Sequence, residues 1–293
     1  MTMAIPGGLE KKITWEKNIL LLRIGIFYAT IIIILFALQL ILSQFLTNII
    51  VDADINVINN LLRGLTGIVG MLTCFLFLKY DTLRLYIIGL NNFQKSHIFF
   101  LIAGIITAVA LIPTVIIEIL FKIIPVEEVA LLGNVELILL TILFSFAGIS
   151  LGEEVIFRGY IQTVLETKYS FIKTSIVSAF LFGFLHFIIG VFNLNLIYMV
   201  TWGIAGFIFG IGMSYIYKIT GNNLIIPIAI HGFWDAYLFL FQVNFEYNDW
   251  FVAAGEIMAQ IVGVLIFCIL TLVIVKKLWP EIMPVSLNSK PEL

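Results

Sequence analysis

Residues Val135–Leu165 read VELILLTILFSFAGISLGEEVIFRGYIQTVL, a run long enough to cross a bilayer that nonetheless holds two adjacent glutamates and an arginine in its second half. A hydrocarbon core about 30 Å thick asks for about 20 apolar helical residues, and a charged side chain at its centre costs about 2.5–3.5 kcal/mol. Either the run is not a span, or it carries Glu153, Glu154 and Arg158 for a reason. The rest of the chain decides in favour of a span. Of its 293 residues, 61% are hydrophobic and 12% charged, with a mean hydropathy of +1.13, whereas soluble domains carry about 25% charged residues. A soluble protein is excluded. Seven further apolar runs predict helices over Ile19–Ser43, Leu62–Leu78, Ile98–Phe121, Ile172–Phe192, Leu196–Tyr217, Leu224–Val243 and Phe251–Val275. The expected fold is an all-α, polytopic membrane helix bundle of about eight transmembrane helices.

The net charge of -2 gives no basic excess for phosphates, so nucleic acid is not expected as a partner. Cys74 and Cys268 lie inside apolar runs and read as small hydrophobes, not as a disulfide or a metal cluster. Positive residues stay on the cytoplasmic side. Lys11, Lys12 and Lys17 precede the first run, Lys79, Arg84 and Lys95 follow the second, and Lys168 and Lys173 follow the fourth. Lys218 follows the sixth, and Lys276, Lys277 and Lys290 follow the eighth. The alternate connections carry Asp52, Asp54, Glu127, Glu128, Glu246 and Asp249, with Lys122 as the exception. Both termini are therefore expected in the cytoplasm of a cell that the Ile, Phe and Asn content suggests is bacterial. The first run exceeds the 7–15 residues of a signal-peptide core and reads as a retained span. The expected organisation is a cytoplasmic segment 1–18, one transmembrane domain 19–277 with its chemical core at 135–243, and a cytoplasmic tail 278–293. The short Gly190–Leu196 connection makes the fifth and sixth spans a tight antiparallel hairpin. Gly206 and Gly210 form a small-xxx-small pair that reads first as packing within the chain and second as a dimer seam. The oligomeric state is not legible.

Three polar clusters interrupt the apolar runs: Glu153-Glu154 with Arg158, His186 in the fifth span, and His231 with Asp235 in the seventh. Glu154 and Arg158 are four apart with the acid first, the favourable order for an intrahelical ion pair, which leaves Glu153 to face another neighbour about 100° away. Asp235 shares a helical face with His231 and is placed to fix its tautomer. At about 1.5 Å per residue, Glu153 and His186 lie some 20 Å, and His231 about 10 Å, from the lysine-bearing ends. A cavity opening toward the cytoplasm would join them, and one acid with two imidazoles suffices for hydrolysis. Taken singly, each cluster also reads as a helix register pin or a satisfied hydrogen bonder. His97, beside Lys95, reads as an interfacial residue, and Asp81 with Arg84 as loop charge.

The ordered set Glu153-Glu154 and Arg158, then Phe182 and His186, then His231 and Asp235, with Thr220-Gly221 and Pro227 before the last, resembles the CPBP (Abi) family. That family groups type II CAAX prenyl endopeptidases with bacteriocin-processing and self-immunity proteins. The resemblance spans about Gly148–Tyr237. It implies an intramembrane peptidase in which Glu153 activates water, His186 and His231 stabilise the reacting centre, Asp235 assists, and Glu154 and Arg158 shape the site. The CAAX members tend to have Asn at the position of Asp235; an ionised Asp accepts hydrogen bonds and cannot donate to an oxyanion, so Asp235 is expected to orient His231. No cofactor is obligatory on this reading. The alternative places zinc on Glu153, His186 and His231, a ligand set with room for water, and leaves Glu154 as the base. The implied partners are the lipid bilayer and a peptide or membrane-associated protein substrate.

Rival chemistries leave different marks. There is no His-Glu-x-x-His. Gly148-Ile149-Ser150-Leu151-Gly152 fits G-x-S-x-G, but a nucleophile elbow needs a strand-to-helix turn, so the small residues read as space beside Glu153. A non-catalytic scaffold or immunity protein, or a proton-coupled transporter, would use the same buried charges differently.

Overall fold

The computed structural model describes residues 17–49, 55–81, 88–90, 96–120, 135–191, 196–240, 254–255 and 257–282. Among these, all regular structure is helical: α1 (Lys17–Ile49), α2 (Ile55–Tyr80), α3 (Ser96–Leu120), α4 (residues 135–166), α5 (Phe171–Val191), α6 (Leu196–Ile219), α7 (Ile225–Leu240) and α8 (residues 259–282). The all-α polytopic bundle is as expected. Six of the helices are long and apolar enough to cross a membrane, while the apolar parts of α2 and α7, Gly64–Tyr80 and Ile225–Leu238, are shorter. Ile33, Leu76 and Leu101 are each 67% exposed, a surface that suits lipid and would be an aggregation liability in water. The chain is an integral membrane protein. Most of the predicted 1–18 and 278–293 segments, the acidic connections, Lys122, Arg84, Lys95, Lys290, the turn after α5 and the side chain of His97 lie outside the described residues.

Helix α4 is not the regular helix its sequence suggests. Phe144–Ser150 and Val155–Gln162 are π-helical and flank the α-helical Leu151–Glu154. Widened turns of this kind are rare and occur most often at functional sites. Hydroxyls accompany them: Thr163 donates to the carbonyl of Arg158 at 3.0 Å, and Ser150 donates to Ile228 of α7 at 3.0 Å. Gly148 and Gly152 lie against Gly64 and Gly67 of α2 so closely that a Cβ on any of them would overlap its neighbour. The G-x-S-x-G segment is thus a helix-packing surface, and Ser150 is fully buried.

Helices α5 and α6 form the expected antiparallel hairpin, Gly183 meeting Gly203 and Phe207 while Gly210 meets Ala179. Gly206 and Gly210 therefore pack within the chain. One continuous apolar core links the bundle through Phe27, Phe157, Tyr160, Phe182 and Phe267.

Asp81 departs from its expected role as loop charge. It is buried at the end of α2, ion-paired with Arg23 of α1, and it accepts a 2.6 Å hydrogen bond from Tyr160 of α4. Buried charges need partners, and here the partners come from two other helices, which sequence spacing cannot reveal. Glu118 of α3 is a further buried acid, bonded by the hydroxyl of Tyr237 in α7.

Candidate active site

The turn between α6 and α7 sets the position of His231. Gly221 at φ 76° and Asn222 at φ 60° end α6 in the left-handed region. Asn223 Oδ1 then accepts the backbone N–H of Ile225 at 2.9 Å as a helix cap. Pro227 falls in the first turn of α7, where its missing N–H costs nothing. One turn further, His231 enters the bundle, with Gly232 letting the ring of Phe146 lie against the helix.

Glu154 and Arg158, both 0% exposed, are paired at 2.9 Å, as their spacing predicts. The second guanidinium nitrogen donates to the carbonyl of Gly210 in α6 at 3.1 Å, and the guanidinium carbon lies 4.7 Å from the ring centre of Phe182. The same Glu154 oxygen is 2.7 Å from Nδ1 of His231. Glu154, not Asp235, therefore anchors the imidazole through Nδ1. Asp235 lies on the other edge, its Oδ2 3.4 Å from Nε2. The i,i+4 spacing did place Asp235 beside His231, but the shorter contact comes across helices from α4, which no local pattern encodes.

Glu153 also meets that Nε2 edge. Its Oε2 is 3.7 Å from Nε2 of His231 and is a buried atom with no hydrogen-bond partner. At that separation the two groups make no direct hydrogen bond, and both edges are left for a water or a substrate atom. His186 hangs from α5, its Nδ1 3.0 Å from the carbonyl of Phe182. A carbonyl only accepts, so Nδ1 carries the proton and the remaining chemistry of that ring falls to Nε2. Phe182 joins the two imidazoles, its ring centre 4.5 Å from that of His186 and 5.9 Å from that of His231.

Glu153, His186, His231 and Asp235 line one cavity of about 370 Å³, within the range of small-ligand pockets and large enough for several waters. Its wall also includes residues the sequence did not single out: Thr66 and Gly67 of α2, Trp202 and Phe209 of α6, Trp234 of α7 and Gln260 of α8. Among the described residues, no three His, Cys, Asp or Glu side chains are gathered as a metal ligand set.

The described residues thus form a membrane helix bundle in which a carboxylate–imidazole cluster borders a cavity. Residues 134–237, from the start of α4 into α7, match the family model described as Rce1-like: Type II CAAX prenyl endopeptidase Rce1-like. The segment carrying the site is therefore similar to the type II CAAX prenyl endopeptidases which that model describes. No curated protein matches the chain.

Proposed function

We propose that the protein is an intramembrane endopeptidase in which Glu153 activates a water for attack on a peptide carbonyl. The observation that carries this reading is the Oε2 of Glu153, buried, without a hydrogen-bond partner, and facing Nε2 of His231 at 3.7 Å. A water held between them would give its proton to the Glu153 carboxylate as its oxygen bonds to the carbonyl carbon. His231 would turn a Nε2–H toward the developing oxyanion, with Glu154 holding the opposite nitrogen and Arg158 holding Glu154. The proton on Glu153 would pass to the leaving amine as the C–N bond breaks. His186 would bind the carbonyl side of the substrate, and Asp235 would balance the charge on His231 through its Nε2 edge.

The test is peptide cleavage by the purified protein in ¹⁸O-labelled water containing a chelator. The proposal expects one ¹⁸O atom in the newly formed carboxyl terminus and a rate unchanged by chelation. Absence of cleavage, or cleavage that appears only when zinc is restored, would overturn it.

A further inference from the structure

The cavity is displaced toward one end of the bundle. Phe36 lies past the middle of α1, Ile188 lies beyond His186 in α5, and Leu238 lies beyond His231 in α7, while Trp202 and Gln260 lie in the opening turns of α6 and α8. Because consecutive helices alternate in direction, these five positions share one end. On the other side of Glu154 the space is filled: Phe157, Arg158, Met213 and Ile216 are all 0% exposed. Lys218 of α6 pairs with Glu166 of α4 at 2.6 Å below them. Every lysine among the described residues, including Lys79, Lys168, Lys218 and Lys276, lies at this filled end. Among the described residues, the cavity lining therefore lies away from the lysine-bearing end, toward which the sequence led one to expect an opening. The sequence offered depth along each helix but not the side on which the packing leaves room.

One flank of the cavity meets the lipid face. Helices α1 and α5 are tied where the Tyr28 hydroxyl donates to the carbonyl of Leu181 at 2.6 Å. Two turns beyond that tie, Phe36 both lines the cavity and is 38% exposed.

We propose, resting on the peptidase reading above, that the substrate is an apolar peptide segment seated in the leaflet away from the lysine-rich end, and that it reaches Glu153 from that side, past Phe36 between α1 and α5. The positive-inside rule makes this the non-cytoplasmic leaflet. The wall suits such a peptide: Trp202, Phe209 and Trp234 take apolar side chains, and Gln260 offers an amide to the backbone. A lipid-modified C-terminus presented from the lysine-rich end would meet the filled layer instead.

The test is sided labelling with a membrane-impermeant thiol reagent on sealed vesicles of both orientations. Cys74 and Cys268 are buried and are replaced by alanine. Single cysteines are then placed by Leu238→Cys or Gln260→Cys in the cavity, and by Lys168→Cys in the turn after α4 as the reference. The cavity cysteines are expected to react at least tenfold faster from the face opposite the one that labels Lys168→Cys. Reaction from the Lys168→Cys face only, or from neither face, overturns the proposal. Labelling does not require hydrolysis, so that failure leaves the peptidase reading standing. Cleavage that persists in Glu153→Gln removes the peptidase reading and this one with it.

Discussion

The two adjacent glutamates, chemically identical, are separated by their partners. Each keeps one buried oxygen without a hydrogen bond, but Glu154 spends its other oxygen on both Arg158 and His231, while Glu153 lines the cavity. Removing one member of a buried pair strands the other charge at a cost of about 3–5 kcal/mol. Arg158→Met is therefore expected to lower the unfolding midpoint sharply. Glu154→Gln with Arg158→Met is expected to recover much of that stability without recovering cleavage, because His231 has lost its anchor; thermal unfolding and a cleavage assay on the same preparations check both halves. The Glu154–Arg158 pair was legible because it is local to one helix. The anchoring of His231 was not, since Asp235 at i+4 looked the natural partner and the closer one arrives from another helix. Ser150 gives a contrasting test. Its hydroxyl is committed to backbone carbonyls, so Ser150→Ala is expected to retain cleavage, and a loss greater than about tenfold at unchanged stability would revive a serine mechanism.

At the scale of helices, glycine placement decides which elements can approach. A Cβ on Gly67 would meet the backbone of Gly148, which cannot yield as a flexible side chain could, whereas Gly25 in α1 has nothing within 4 Å of the same position. Gly67→Ala is expected to destabilise by about 1–3 kcal/mol through overpacking. Gly25→Ala is expected to stabilise slightly, by about 0.5–1 kcal/mol, because alanine is the better helix former; denaturant titration of the two variants reads the difference in sign. Tyr160→Phe deletes the hydroxyl that bonds Asp81 and is expected to cost about 0.5–1.5 kcal/mol, in the same titration, with cleavage little changed. The helices themselves were legible from hydropathy, since a bilayer demands about 20 apolar residues whatever the tertiary packing. The π-helical turns of α4 were not, because they answer to close contact with α2 and α7 rather than to any local pattern.

Across the whole molecule, two layers of polar groups stand out among the described residues. One is structural, near the lysine-rich end, where Arg23, Asp81 and Tyr160 join α1, α2 and α4. The other borders the cavity and gathers side chains from α4, α5 and α7. Their chemical character was legible in the sequence, as ionisable groups inside lipid need a reason. Which layer each belonged to, and which end the cavity favours, depended on how eight helices fill space. The account stands on Glu153 acting as the base. The most direct measurement is the peptide-cleavage rate of purified Glu153→Gln beside the unaltered protein. General-base catalysis contributes about 10²–10⁴-fold, so the account predicts a loss of at least about 10²-fold with the unfolding midpoint retained. A Glu153→Gln protein that cleaves at the original rate would contradict it.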